Sequence, residues 1–169
     1  TVDSRHQDAP ALTVLGAVLR NGYIHSAIRE KGGAYGSGAS QDSYNRVFKF
    51  FSYRDPKCSE TFLEFKKSRE WSLKNITSAQ LDEGVLGVIS SIDKPLSPYG
   101  EAMSDFMSEL DHKKQAERLA FRSKVKECSI DDLVRVSEKY LFSNSKSAVI
   151  AGEPFESEIK SLDFKLKNI

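Results

Sequence analysis

The chain has 169 residues, a length typical of one domain, and its 25 Lys and Arg residues nearly balance its 24 Asp and Glu residues. This balance argues against a nucleic-acid-binding protein, which needs a dense cationic surface. The longest nearly apolar run covers residues 11–19, far short of the roughly 20 residues that span a bilayer. The composition therefore predicts one soluble domain over residues 1–169, with no nucleic-acid partner and no membrane span.

The chain begins at Thr1 without a Met and without a basic-then-apolar leader, which indicates a fragment of a longer protein. Its two cysteines, Cys58 and Cys128, are far apart in sequence and form no C-x-x-C motif. This spacing favours free thiols in a reducing compartment, although it leaves one long-range disulfide open.

A long amphipathic pattern predicts the first helix, from about residue 8 to residue 30. Asp8 is a candidate N-cap and Pro10 suits the first turn. Apolar residues then recur at spacings of three and four over a wide face, which indicates burial on two sides. Gly32 is the expected end of the helix because glycine accepts the left-handed conformation found there.

Two strands are predicted next, followed by several helices. Residues 33–40 and 44–53 read as a hairpin with its turn near residues 41–45. Ser59 is expected to cap a helix over 60–74, and helices are also predicted from Thr77, around residues 103–110 and from Ser129. Residues 147–151 read as a last short strand. This order predicts an α+β fold, with an antiparallel sheet packed against helices.

No familiar metal or phosphate motif is present in the sequence. The histidines are His6, His25 and His112, and none begins His-Glu-x-x-His or His-x-x-Glu-His. The glycine-rich segment at 32–38 lacks the Lys-Ser/Thr of a P-loop and follows a predicted helix instead of a strand. The sequence therefore predicts no metal site within this chain.

Arg29 and Tyr35 are the strongest candidates for a chemical role. They flank a Gly-Gly bend, so both side chains can point into one cavity. Small residues at 34, 36 and 38 would let a peptide backbone approach the strand closely. The alternative is an ordinary structural role, because arginines are common in last helical turns and tyrosines are common in strands.

Three ordered blocks resemble the presequence-protease branch of the pitrilysin-type (inverzincin) metallopeptidases. They are REKGGAYG at 29–36, SYRDP at 52–56 and LGVISSIDKP at 86–95, with Trp71 between the last two. The resemblance covers about residues 8–152. It implies a metallohydrolase domain of the type found in LuxS and the mitochondrial processing peptidase, lacking its first strands and so leaving an open sheet edge.

The resemblance further implies that this chain is the last domain of a C-terminal half, which carries no metal motif. Zinc would be held by the N-terminal half, which is absent from this chain and would be its partner. The full-length protein would be an endopeptidase for unfolded peptides such as cleaved presequences. The fragment alone is expected to be inactive.

Residue by residue, the resemblance assigns catalytic roles to Arg29 and Tyr35. Tyr35 would hydrogen-bond the oxyanion or substrate backbone, and Arg29 would orient the substrate backbone. Gly33, Ala34 and Gly36 are expected to lie against the substrate. Two alternatives stay open: a non-catalytic scaffold or assembly half, and a freestanding peptide-binding module.

Overall fold

The structure is a computed structural model that describes residues 1–112, 114–162 and 164–165. Helices dominate it, and one two-stranded antiparallel sheet lies among them. In chain order the elements are α1 (Ala9–Leu19), a π-helical segment (Arg20–Glu30), β1 (Gly36–Asp42), β2 (Val47–Tyr53), α2 (Ser59–Lys74), α3 (Ser78–Ile92), α4 (Pro98–Leu110), α5 (Gln115–Lys126), α6 (Ile130–Tyr140), a 3₁₀ turn (Glu153–Phe155) and α7 (Glu156–Ser161). This arrangement confirms the predicted α+β class.

The first helix is the centre of the core, as its wide apolar face predicted. Nine of the eleven residues of α1 are buried, and Pro10 lies in the first turn. The helix does not end after α1 but continues as the π-helical segment, so the helical stretch runs to Glu30. Contact with helices on one side and with β1 on the other explains why this helix is apolar over most of its circumference.

Asp8 was predicted as the N-cap of α1, and that prediction is only half right. Asp8 occupies the N-cap position, but its side chain makes no capping hydrogen bond. The carboxylate instead accepts hydrogen bonds from three residues of α6, namely Arg135 at 2.6 Å, Tyr140 at 2.7 Å and Lys139 at 3.0 Å. It therefore ties the start of α1 to a helix more than 120 residues away in sequence.

The hairpin was predicted correctly, with its strand bounds shifted. β1 pairs antiparallel with β2 in a register that places Gly36 opposite Tyr53 and Gly38 opposite Phe51. Along β2, alternate side chains differ in exposure. Phe50 lies on the core side, where its ring stacks on Phe142 with centroids 5.3 Å apart. Among the residues described, neither outer edge of this sheet pairs with another strand.

The predicted caps were correct at two helices and wrong at one. Thr77 forms the expected capping box with Gln80 at the start of α3, and Ser129 caps α6 through the backbone of Asp132. Ser59, however, is the first residue of α2 and not its cap. Its backbone N–H donates to the carboxylate of Glu158 at 2.6 Å, so a non-local contact replaces the predicted local one.

Two features near the C-terminal end differ from the prediction. The helix α5 was not predicted, because its sequence is rich in polar and charged residues and shows no wide apolar face, and in the structure only Val125 is buried. The strand predicted over 147–151 is wrong: these residues have no regular structure, and Ile150 is almost fully exposed. An apolar run becomes a strand only where a neighbouring strand pairs with it, and no strand among the described residues does so here.

Both cysteines are free, which agrees with the favoured prediction. Burial raises the pKa of the Cys128 thiol to about 12, which keeps it protonated at neutral pH. None of the helices in the part of the chain that the structure describes is long and apolar enough to cross a membrane.

Candidate functional site

The π-helical segment positions Arg29 at an exposed helix end. Ile24 and Ile28 are buried, and His25 and Arg29 follow each of them on the outward side. The guanidinium of Arg29 lies 3.1 Å from Nε2 of His25, and Nδ1 of His25 lies 3.5 Å from the Glu30 carboxylate. Arg29 is therefore in the last helical turn, as predicted, with its side chain directed to solvent.

A contact with α2 holds this segment in place. The hydroxyl of Tyr23 donates a 2.6 Å hydrogen bond to the carboxylate of Glu64. Burial, together with this hydrogen bond and the charge of Glu64, raises the pKa of Tyr23 above its usual value, so the hydroxyl stays a donor at neutral pH. The orientation of the segment that carries Arg29 is thus coupled to the position of α2.

The helix ends just before Gly32, as predicted, but the left-handed conformation expected there is adopted by Gly33. Gly33 has a φ of +86°, a conformation that residues with a Cβ rarely adopt. The turn at Gly33 is closed by two backbone hydrogen bonds, from Gly33 N–H to the Arg29 carbonyl and from Ala34 N–H to the Ile28 carbonyl. Ala34 is buried there.

We expect Gly33→Ala to lower the free energy of unfolding by about 1 kcal/mol, because alanine is strained at this φ. Gly87 provides a matched control, since it lies inside α3 and a Cβ built on it meets nothing within 4 Å. Gly87→Ala should raise the free energy of unfolding by up to about 1 kcal/mol. Urea denaturation of both variants measures the two shifts, and shifts of the same sign would contradict this account of the turn.

Tyr35 lies one residue before β1, not within it as predicted. Its N–H donates to the Arg54 carbonyl at 3.2 Å, which extends the pairing of the hairpin by one bond. The side chain is 67% exposed. Its ring meets the edge of the Tyr53 ring at a centroid distance of 6.0 Å, and the guanidinium of Arg54 lies over both rings at 5.6 and 5.4 Å.

The glycine strand is less open than the sequence suggested. A Cβ on Gly38 would lie only 2.8 Å from the ring of Phe51, and the nearest atom to a Cβ on Gly36 belongs to the Tyr53 ring at 4.0 Å. The ring of Phe51 on β2 therefore covers Gly38, whereas Gly36 is left more open. The register of the hairpin causes this cover, because it pairs Gly38 with Phe51.

Arg29 and Tyr35 thus lie on either side of the turn at Gly33, but their side chains contact different residues. Arg29 contacts His25, whereas Tyr35 contacts Tyr53 and Arg54. Gly33 forms the turn, Ala34 is buried beneath it, and Gly36 begins β1. That Arg29 and Tyr35 meet at one substrate stays a prediction.

Sequence reasoning missed the two residues that pack against Tyr35. Tyr53 and Arg54 were noted only as part of a resembling block. The predicted hairpin could have identified them, because a register that places Tyr53 opposite Gly36 brings the end of β2 beside Tyr35. Arg54 also adopts a positive φ of 48°, unusual for a residue other than glycine.

The described residues do not fit a zinc site. Among residues 1–112, 114–162 and 164–165, no group of three or more His, Cys, Asp or Glu side chains lies close enough to hold a metal ion. The side chains around the Gly33 turn offer hydrogen-bond donors and cations, namely the phenol of Tyr35 and the guanidinium groups of Arg29 and Arg54.

Comparison with known proteins gives a consistent result. Residues 2–151 match the family model described as the PreP C-terminal domain. The mitochondrial presequence protease of Saccharomyces cerevisiae is 35% identical over 167 residues, covering 97% of this chain and 16% of that protein. That of Yarrowia lipolytica is 35% identical over 150 residues (88% and 15%), and that of Xenopus tropicalis is 36% identical over 143 residues (83% and 13%).

The chain spans only 13–16% of the length of these three relatives. The matched region nevertheless includes all three resembling blocks and both Arg29 and Tyr35. The family model and the three relatives each align with most of the chain. The chain therefore belongs to the presequence protease family and corresponds to the C-terminal domain of its members.

Proposed function

We propose that this chain is the domain of a metalloendopeptidase that supplies Arg29 and Tyr35 to the bound peptide. The observation that carries this proposal is the exposure of both side chains on either side of the Gly33 turn, within the family-matched region. The peptidase activity itself would belong to the longer protein. Its substrates would be unfolded peptides, including the presequences for which the relatives are named.

Tyr35 is suited to donate a hydrogen bond to an oxyanion or to a peptide carbonyl. Its hydroxyl is on an exposed ring, and the ring is braced by Tyr53 and Arg54. A donor fixed before the reaction stabilises developing negative charge without reorganisation at that moment. Arg54 would keep the Tyr35 ring in place and add positive charge near the same oxygen.

Arg29 is suited to bind a carbonyl or carboxylate of the peptide backbone. Its guanidinium offers a planar set of donors, and the structure engages part of it with His25. This contact leaves other N–H groups of the fork available. Arg29 would thereby orient the peptide relative to Tyr35.

We propose that the attacking water is activated outside this chain. The family resemblance implies a zinc ion held by the N-terminal half, which would supply that chemistry. We therefore propose that the chain alone is inactive and that its partner is the N-terminal half of the same protein.

The freestanding peptide-binding module is the weaker alternative. It requires a peptide to lie against the glycine strand, yet the Phe51 ring lies over Gly38. A pure scaffold, in turn, gives no reason for an exposed Tyr35 braced by an arginine.

The cellular compartment is also a proposal. The relatives are named as mitochondrial proteins. We propose an organelle matrix for this chain, and the two free cysteines agree with a reducing environment there.

Replacing Arg29 in the full-length protein tests its role. Arg29→Ala should lower kcat/KM for an unfolded presequence-like peptide by about 10- to 100-fold, the loss expected for one charge-assisted hydrogen bond. Arg118→Ala removes the same charge from an exposed position on α5 and should leave kcat/KM unchanged. Equal kcat/KM values for the two variants would exclude a substrate contact by Arg29.

A further inference from the structure

The imidazole of His25 lies between a cation and an anion of its own helical segment. Nε2 of His25 is 3.1 Å from the guanidinium of Arg29, and Nδ1 is 3.5 Å from the Glu30 carboxylate. A guanidinium only donates hydrogen bonds, so Nε2 is the acceptor and the proton of the neutral ring is on Nδ1. That tautomer directs the ring N–H to the side of the Glu30 carboxylate. Both ring nitrogens of His25 therefore have a suitable neighbour.

The π-helical geometry of the segment makes this arrangement possible. Its backbone hydrogen bonds join residues five apart, as between the N–H of Lys31 and the carbonyl of Ser26 at 3.1 Å. In an α-helix, residue i+5 lies about 140° around the axis from residue i, away from the face that residues i and i+4 share. The π-helical turn brings residue i+5 back to that face. His25 can therefore contact Arg29 and Glu30 at once.

The backbone that carries this contact is held from several sides. Ile24 and Ile28 are buried, and the carbonyl of Ile24 accepts a 3.5 Å hydrogen bond from the hydroxyl of Ser37 on β1. The carbonyl of Arg29 accepts the N–H of Gly33 at 3.0 Å. The imidazole is thus attached to an anchored backbone, whereas the side chain of Arg29 is exposed. The imidazole can therefore set the direction of that side chain.

We infer that His25 is a positioning residue for peptide binding, which accepts one N–H of Arg29 and directs the rest of the guanidinium toward the peptide backbone. This role rests on the proposed function, because it requires Arg29 to contact the peptide. An arginine side chain loses much rotamer freedom when it is immobilised. A contact that fixes it before the peptide arrives removes part of this entropic cost. His25 would thereby strengthen peptide binding without touching the peptide.

Substitution of His25 in the full-length protein tests this role. His25→Leu removes the acceptor and should lower kcat/KM for an unfolded presequence-like peptide by about 3- to 10-fold, the effect of one lost hydrogen bond. The loss should appear mainly as a higher KM, because Arg29 would bind the peptide before the reaction as well as during it. The His25 side chain is 44% exposed, so the thermal unfolding midpoint should stay close to that of the wild type.

His25→Gln is the matched variant, because its side-chain oxygen can accept a hydrogen bond at about the position of Nε2. It should keep kcat/KM within about twofold of the wild type. Equal losses in His25→Gln and His25→Leu would overturn the inference, because the acceptor would then not matter. An unchanged or higher kcat/KM in His25→Leu would also overturn it.

A double variant separates positioning from direct contact with the peptide. Arg29→Ala removes the group that His25 holds, so adding His25→Leu to it should change kcat/KM by less than about twofold. A further loss of twofold or more would show that His25 acts independently of Arg29 and would overturn the inference. If Arg29→Ala lowers kcat/KM and His25→Leu does not, the inference fails and the proposed function stands. If Arg29→Ala has no effect, the proposed contact of Arg29 fails and the inference fails with it.

Discussion

Tyr35→Phe in the full-length protein should lower kcat/KM for an unfolded peptide by about 10²–10³, the effect of removing one oxyanion-stabilising donor. The substitution removes only the hydroxyl oxygen. The ring contacts with Tyr53 and Arg54 do not require that oxygen, so folding should be unaffected. The loss should appear mainly in kcat if the hydrogen bond forms only in the transition state.

Tyr44→Phe is the matched control for this experiment. Tyr44 is 82% exposed in the turn between β1 and β2, and its hydroxyl is at the far end of the hairpin from Tyr35. The control variant should keep wild-type kcat and KM. Near-normal turnover by Tyr35→Phe would show that this hydroxyl does not act on the substrate, and Arg54 would then be the remaining donor at that site.

The second large effect is expected at Asp8, on stability instead of activity. The side chain is 1% exposed and accepts hydrogen bonds from Arg135, Lys139 and Tyr140. Asp8→Asn keeps its size but removes the charge and replaces one acceptor by a donor. Because Arg135 and Lys139 are about half-exposed and can be rehydrated, we expect a loss of about 2 kcal/mol in the free energy of unfolding, below the cost of stranding a buried charge.

This contribution should depend on pH in a defined direction. Burial by itself raises the pKa of Asp8, but hydrogen bonds from Tyr140, Arg135 and Lys139 outweigh it and hold the pKa well below its usual range. The unfolded chain, with a pKa near 3.9 at this group, therefore takes up the proton first as pH falls. The stability that Asp8 provides is fully present near neutral pH and is lost progressively below about pH 5.

Urea denaturation between pH 7 and pH 3 measures this dependence. The difference between wild type and Asp8→Asn should be largest at pH 7 and shrink as the pH falls. Asp82→Asn, at an exposed position on α3, should differ little from wild type at any pH. A difference that is constant with pH would mean that the charge of Asp8 is not what stabilises the fold.

Features that depend on neighbouring residues were predictable from the sequence. The capping boxes at Thr77 and Ser129, the hairpin and the helix ending near Arg29 each arise from side chains a few positions apart. The family was also predictable, because the block at 29–36 is followed in a specific order by the blocks at 52–56 and 86–95.

Features that depend on distant residues were not predictable. Asp8 stands at a position typical of a helix N-cap. In the fold, however, Arg135 and Tyr140 of α6 reach its carboxylate, which binds them and not the N–H groups of the first turn of α1. Whether the glycine face of β1 is open depends on which residues of β2 lie opposite the glycines. The register places Phe51 there, and no composition rule specifies a register residue by residue.

The sequence by itself determined the α+β class, the family and the two candidate residues, because local spacing and short motifs carry that information. The tertiary structure alone decided that Tyr35 is braced by Tyr53 and Arg54, that Asp8 anchors α6, and that residues 147–151 form no strand. The physical reason is that a side chain's neighbours across the fold, and not those along the chain, set its burial, hydrogen bonds and charge environment.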